Sequence, residues 1–191
     1  MTKLFNQINN QTIMARIIYK DGCEGQNRLE CIEGIEIDLL NGQKALIYPK
    51  YEQCELLPRG KEDEYDGWCF KSEIEALKAQ PCEAHDDTLS LYELGSPAAK
   101  HVHQFTSDKH GSFYLPTLLA AMEICDQRAE IDELAKTIEG ADLLLKSCSY
   151  VWSSCRCFTG SAWFCYGCRG FAYYGNFCFS LLAVPSVLYN C

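Results

Sequence analysis

A chain of 191 residues that is 48% apolar and 12% aromatic can bury the core of one domain, which excludes a wholly disordered protein. Its net charge of −9 argues against nucleic acid as a partner, because neutralising phosphates takes a surplus of Lys and Arg. No run is apolar for long enough to insert in a membrane, and residues 1–18 lack the pattern of a secretory signal, so cytoplasmic synthesis with the thirteen cysteines kept as thiols is expected.

Residues 1–60 read as β-rich. Residues 13–19 form a short apolar run ended by Asp21-Gly22, and residues 35–39 alternate as a strand with one wet face would. Asn41-Gly42 suits a two-residue hairpin turn, with residues 44–48 returning as the partner strand before Pro49. Residues 51–65 are polar and read as a solvated loop, whose acids lack the alternation and glycine of a calcium loop.

Residues 71–80 suit a short helix capped by Ser72, with Ile74 and Leu77 on one face and Pro81 as its stop. Residues 88–94 read as another strand. On an extended chain His101-x-His103 would set two imidazoles on one side, a spacing zinc sites use, although no third ligand follows at motif spacing. Helical periodicity then covers residues 116–145: Pro116 opens it, Leu118, Leu119, Met122 and Ile124 form one apolar face, and Ile131, Leu134, Ala135 and Ile138 form a second. Gly140 is placed to stop the helix, and residues 143–145 read as a buried connection.

The stretch from 150 to 191 is unlike the rest. The last acid is Asp142, and after Lys146 the formal charges are Arg156 and Arg169 alone. So aromatic a segment must fold, and it reads as a sheet bearing a binding surface. Cys155-x-Cys157 and Cys165-x-x-Cys168 offer four thiols at irregular spacing, so structural zinc, a disulfide framework and a nucleophilic thiol are the chemical alternatives. A nucleophile would have to recruit His101, His103 or His110 from afar, because no base lies beyond Lys146. From residue 155 onward Lys, Glu, Gln, Met, Asp, His and Ile are missing. Apart from Trp163, what remains can be encoded by codons ending in C, the palette of a codon such as AAC randomised at its adenines, with Asp, His and Ile then absent by chance.

Tyr150-Val151-Trp152-Ser153-Ser154, Ala162-Trp163 and Ala183-Val184-Pro185-Ser186-Val187 resemble the variable region of target proteins of diversity-generating retroelements. Gly111-Ser112-Phe113-Tyr114-Leu115-Pro116-Thr117 and the helices after it resemble that family's approach to its C-type-lectin-like domain, an outline shared with formylglycine-generating enzymes. The resemblance covers residues 65–191. It implies an α+β fold: a C-type-lectin-like domain with a small twisted antiparallel sheet and two helices, preceded by the β-rich segment 1–60. Trp152, Ser153, Ser154, Ala162 and Trp163 would be scaffold.

The diversified, ligand-contacting positions would fall among Cys155, Arg156, Cys157, Phe158, Ser161, Phe164, Cys165, Tyr166, Cys168, Arg169, Tyr173, Tyr174, Asn176, Cys178 and Ser180. Tyr and Phe offer large contact area at small entropic cost, while Arg, Ser and Asn supply adaptable hydrogen bonds. Phe171, Phe177 and Phe179 could equally face inward. Many relatives carry an arginine before the proline near the end; Val184-Pro185-Ser186 lacks it, which leaves the pairing of the last strand open. The implied protein is no enzyme, needs no cofactor or metal, and binds a protein or cell-surface ligand as a receptor-binding part of a phage or prophage virion. Its oligomeric state stays open, a trimer being common in tail-tip proteins. A formylglycine-generating-like enzyme and a zinc-stabilised cysteine-rich module are the rival readings.

Overall fold

The computed structural model describes residues 15–144, 150–158, 160–166 and 171–190, and for Phe171 the backbone alone. The fold is α+β. One antiparallel sheet has the order β1 (Arg16–Tyr19), β2 (Ile32–Asp38), β3 (Gln43–Ile47), β11 (Ser186–Asn190). A second has the order β4 (Glu52–Glu55), β10 (Ser180–Ala183), β7 (Tyr150–Phe158), β8 (Ser161–Tyr166), β9 (Phe171–Asn176), in which β10 and β7 are parallel. β5 (Thr106–Ser107) and β6 (Gly111–Ser112) form a minimal hairpin.

The expected β2–β3 hairpin forms, with a turn one residue longer than a two-residue loop. Leu39 N–H donates to Gln43 O (2.9 Å) and Gly42 N–H to Leu39 O (3.0 Å), leaving Leu40, Asn41 and Gly42 in the loop. Gly42 takes φ 83°, the left-handed position that such loops end on. β2 has no wet face: Glu33 and Glu36 are as buried as Ile35 and Ile37. Glu36 is tolerated there because Arg16 (2.5 Å) and Lys44 (2.8 Å) pair with it and the Tyr189 hydroxyl donates to it. Of the strand expected over residues 13–19, the part from Arg16 is seen, and residues 13 and 14 lie outside the described residues.

Three expectations are corrected. The loop expected over residues 51–65 contains β4, an edge strand whose Glu and Gln side chains face solvent, so its pairing with β10 left no apolar alternation to read. Residues 88–93 belong to helix α2 (Pro81–Glu93) and Leu94 is its C-cap, so the expected strand over 88–94 is not one. Pro81 opens that helix, Glu83 accepts from Gln80 N–H (2.6 Å), and Ala84, Asp87, Thr88 and Leu91 recur on its buried side. His101 and His103 lie on helix α3 (Pro97–His103), where residues two apart diverge, so they do not share a side. The short helix α1 (Glu73–Ala76) is capped by Ser72 as expected, with Ala76 inward and Ile74 exposed.

The helical region divides into α4 (Leu118–Asp126) and α5 (Arg128–Ala135), joined at Gln127. Thr117, one residue after Pro116, caps α4 by accepting from Ala120 N–H (3.3 Å), and Gly140 adopts φ 84° beyond Ile138. Leu144 is buried as expected of a connection, and Leu145 lies outside the described residues.

The largest core cluster sets Ile32, Ile35, Leu46 and Ile47 of the first sheet with Ile124 of α4, Ile131 of α5, and Val151, Cys165 and Leu182 of the second. The β-rich opening segment and the terminal stretch thus share both sheets: β3 pairs with β11, and β4 with β10. Val184-Pro185 leads directly into β11, whose register on β3 runs from Ser186↔Ile47 to Asn190↔Gln43.

Candidate functional site: the β7–β8–β9 meander

The residues expected as scaffold are all buried. Trp152 Nε1–H donates to Cys54 O (3.0 Å), Ser153 Oγ to Trp163 O (2.7 Å), Ser154 N–H to Pro116 O (2.9 Å) and Trp163 Nε1–H to Phe70 O (2.9 Å). Each bond satisfies a polar group out of water, which fixes the meander to its supports. β7 shifts register between Trp152 and Arg156 and again between Arg156 and Phe158, and these irregularities re-aim its side chains.

Cys155 and Cys157 point the same way, as two residues apart on a strand should, but inward. They pack with Ala76, Leu118 and Trp163. Cys165 lies under α4 against Cys125, and Phe164 is enclosed by Tyr150 and Trp152. These four expected contact positions are therefore core: Cys155, Cys157, Phe164 and Cys165 are buried. Burial pushes the Cys155 thiol up to about 12 and the Cys157 thiol up to about 11, which keeps both protonated. Cys168 and Arg169 lie outside the described residues.

What remains at the surface is aromatic and polar. Phe158 is 49% exposed, Tyr173 51%, Tyr174 58% and Phe179 50%. Tyr173 and Tyr174 are neighbours on β9, the last strand of its sheet, so one ring stands on each side of the strand. On the side toward α4, Tyr174 meets Trp163 and Phe158 at centroid separations of 5.6 and 5.7 Å. On the other, Tyr173 stacks on Phe164 (6.2 Å) and meets Tyr166 edge-on (6.4 Å), with Tyr150 beyond.

Gly175 makes room for this second cluster. A Cβ there would lie 2.7 Å from the Phe179 ring and 2.9 Å from that of Phe164. Asn176 and Ser180 are exposed, and Ser161, Tyr166 and Cys178 half-buried. Asn176 Oδ1 accepts from Cys178 N–H (2.9 Å), and the Cys178 thiol points at Glu62 Oε1 (3.7 Å). Arg59, Glu62, Asn176, Cys178 and Phe179 line a depression of 390 Å³. Arg59, Glu62 and Phe179 were not foreseen as site residues: the first two come from a loop distant in sequence, and Phe179 follows a turn at which strand alternation breaks.

Arg156 is half-buried on β7. Its Nη1–H donates to Tyr65 O (2.8 Å) and its guanidinium lies 5.7 Å from the centre of the Tyr65 ring. With Asp66, Gly67, Trp68, Cys69, Asp86, Asp87 and Ser90 it lines a second cleft, of 450 Å³. Burial drives the Asp87 carboxyl up to about 7, against the Trp68 N–H bond (2.9 Å) and the Arg156 charge that pull it down.

The four histidines are engaged elsewhere: His85 edge-on to Tyr114, His101 with Lys50 O (3.0 Å) and Glu52 (2.9 Å), His103 against Tyr92, His110 stacked on Tyr189. Among the described residues no three His, Cys, Asp or Glu side chains are grouped to hold a metal ion, and no helix is long and apolar enough to cross a membrane. Comparison with protein-family models, with curated proteins and with solved structures gives no match.

Proposed function

We propose that the chain is a ligand-binding protein with a C-type-lectin-like fold, diversified by a retroelement over residues 150–190, whose terminal face recognises a protein or cell-surface ligand. The observation that carries this reading is the sorting of one compositionally restricted segment. Its anchors are buried and hydrogen-bonded, while four of the eight exposed large hydrophobic residues among the described residues, Phe158, Tyr173, Tyr174 and Phe179, fall within it. Exposed rings gathered on both sides of an edge strand are costly on a monomer unless a partner covers them. The contact set is accordingly Arg156, Phe158, Ser161, Tyr166, Tyr173, Tyr174, Asn176, Cys178, Phe179 and Ser180. A receptor-binding role in a phage or prophage particle fits such a face. The test is the flanking DNA: a near-copy of the codons for residues 150–190, bearing adenines at the contact positions and lying beside a reverse transcriptase gene, is expected. Flanks with neither would sink diversification.

A further inference from the structure

An uncovered strand edge invites pairing with another chain, and folded proteins guard against it with charge, bulges or cover. Three of the four outer edges of the two large sheets are guarded in this way. β1 is four residues long, opens on the charged Arg16 and shifts register before Tyr19. β4 carries Glu52, Gln53 and Glu55. β11 is covered by Tyr114, whose N–H donates to Ser186 O (2.9 Å) and whose hydroxyl accepts from Leu188 N–H (2.8 Å). β9 differs. It pairs with β8 in unbroken register from Ser161↔Asn176 to Tyr166↔Phe171, holds no charge and no proline, and has no second neighbouring strand among the described residues.

This edge suits a copy of itself. The chain carries a net charge of −9, yet β9 has no formal charge, so two copies meet there without like charges in contact. Phe158, Tyr173, Tyr174 and Phe179, each half exposed, leave about 400 Å² of ring open on each copy. Two copies would bury about 800 Å² before the main-chain edge is counted, near the roughly 1,000 Å² that specific association needs. Residues directly opposite in an antiparallel pair share a side of the sheet. About a two-fold axis at Tyr173, that tyrosine meets its own counterpart, and Tyr174 meets the small Ala172 of the copy. An axis at Tyr174 would instead set Tyr173 against Gly175, over which the Phe179 ring already lies. We infer that β9 joins β9 of a second copy in antiparallel register about Tyr173, continuing the five-stranded sheet of each copy into the other. Arg156, Ser161 and Ser180 lie on other strands, so each copy keeps them for a ligand.

Sedimentation equilibrium of the full chain, with a thiol reductant present, tests it. Twice the chain mass is expected at high concentration, falling toward a single chain on dilution. Tyr173→Lys sets two ammonium groups face to face at the axis and should weaken association about a hundredfold. Gln53→Lys, on the opposite edge strand β4, should leave it unchanged, and circular dichroism melts report the folding of both variants. For the register, Tyr173→Cys and Tyr174→Cys are each oxidised without reductant and digested. A disulfide joining the two introduced thiols is expected with the first and not with the second, and it decides the matter should Tyr173→Lys fail to fold. A single chain at every concentration, a trimer, a dimer that survives Tyr173→Lys in a folded protein, equal loss with Gln53→Lys, or a bridge formed by Tyr174→Cys and not by Tyr173→Cys would each overturn the pairing. The flanking DNA decides diversification whatever the mass, so the two readings fail separately.

Discussion

Asp87 shows how one buried carboxyl couples the cleft to stability. Its folded value of about 7 lies above the roughly 3.9 of an unfolded aspartate, so the folded state binds the extra proton. Its contribution is therefore fully present below about pH 4 and is lost as pH rises through 7. In urea unfolding, stability of the parent relative to Asp87→Asn should fall across that window, and parallel pH profiles would show that Asp87 does not titrate there. Glu36 behaves in the opposite sense. Burial pushes its carboxyl up, but the Lys44 and Tyr189 hydrogen bonds and the Arg16 charge outweigh this and hold it low. The stability it brings is present above the unfolded value near 4.3 and is lost as pH falls through its folded one. Glu36→Gln at pH 7 should cost about 2 kcal/mol in the same measurement, since Lys44 loses the nearer of its two carboxylate partners in a largely buried place, Asp38 staying at 3.5 Å.

Among the elements, β2 and β9 mark two limits on substitution. Gly34 sits where a Cβ would lie 2.6 Å from the backbone oxygen of Ile47 on β3, and a backbone atom cannot step aside as a side chain can. Gly34→Ala should therefore destabilise by roughly 2 kcal/mol or more, seen as a lower urea midpoint. On β9 the exposed rings carry little of the fold, so Tyr173→Ala with Tyr174→Ala should shift stability by less than about 1 kcal/mol. If the pair instead unfolds the protein, the rings are structural and the binding reading loses its main support. The same contrast explains which elements could be read in advance. The β2–β3 turn and the apolar faces of α4 and α5 were legible from local pattern, although the wet face expected of β2 is buried, whereas the inward Trp-Ser-Ser and Ala-Trp anchors came from the resemblance alone. β4 was hidden because its partner β10 lies far away in sequence, and α2 because Thr88-Leu89-Ser90-Leu91 alternates polar and apolar residues as a strand would inside a well-started helix. The inward turn of Cys155 and Cys157 depends on which side of β7 packs against Leu118 and Ala76, which composition does not encode.

For the molecule as a whole, the thiols report how the chain is sorted into inside and outside. Brief labelling of the native protein with a maleimide, followed by peptide mass spectrometry, should mark the exposed Cys69 and Cys82 and spare Cys155, Cys157 and Cys165 until denaturant is added. Early labelling of the latter three would return them to the surface and restore the first assignment of the site. The pairing of β11 with β3 and of β10 with β4 has a further meaning, one of timing. β3 and β4 must wait for partners made much later in the chain, so neither sheet can be completed early, and refolding from denaturant should be slow. A nascent chain halted at residue 185 would hold β3 with one margin bare, exposed to capture by other chains.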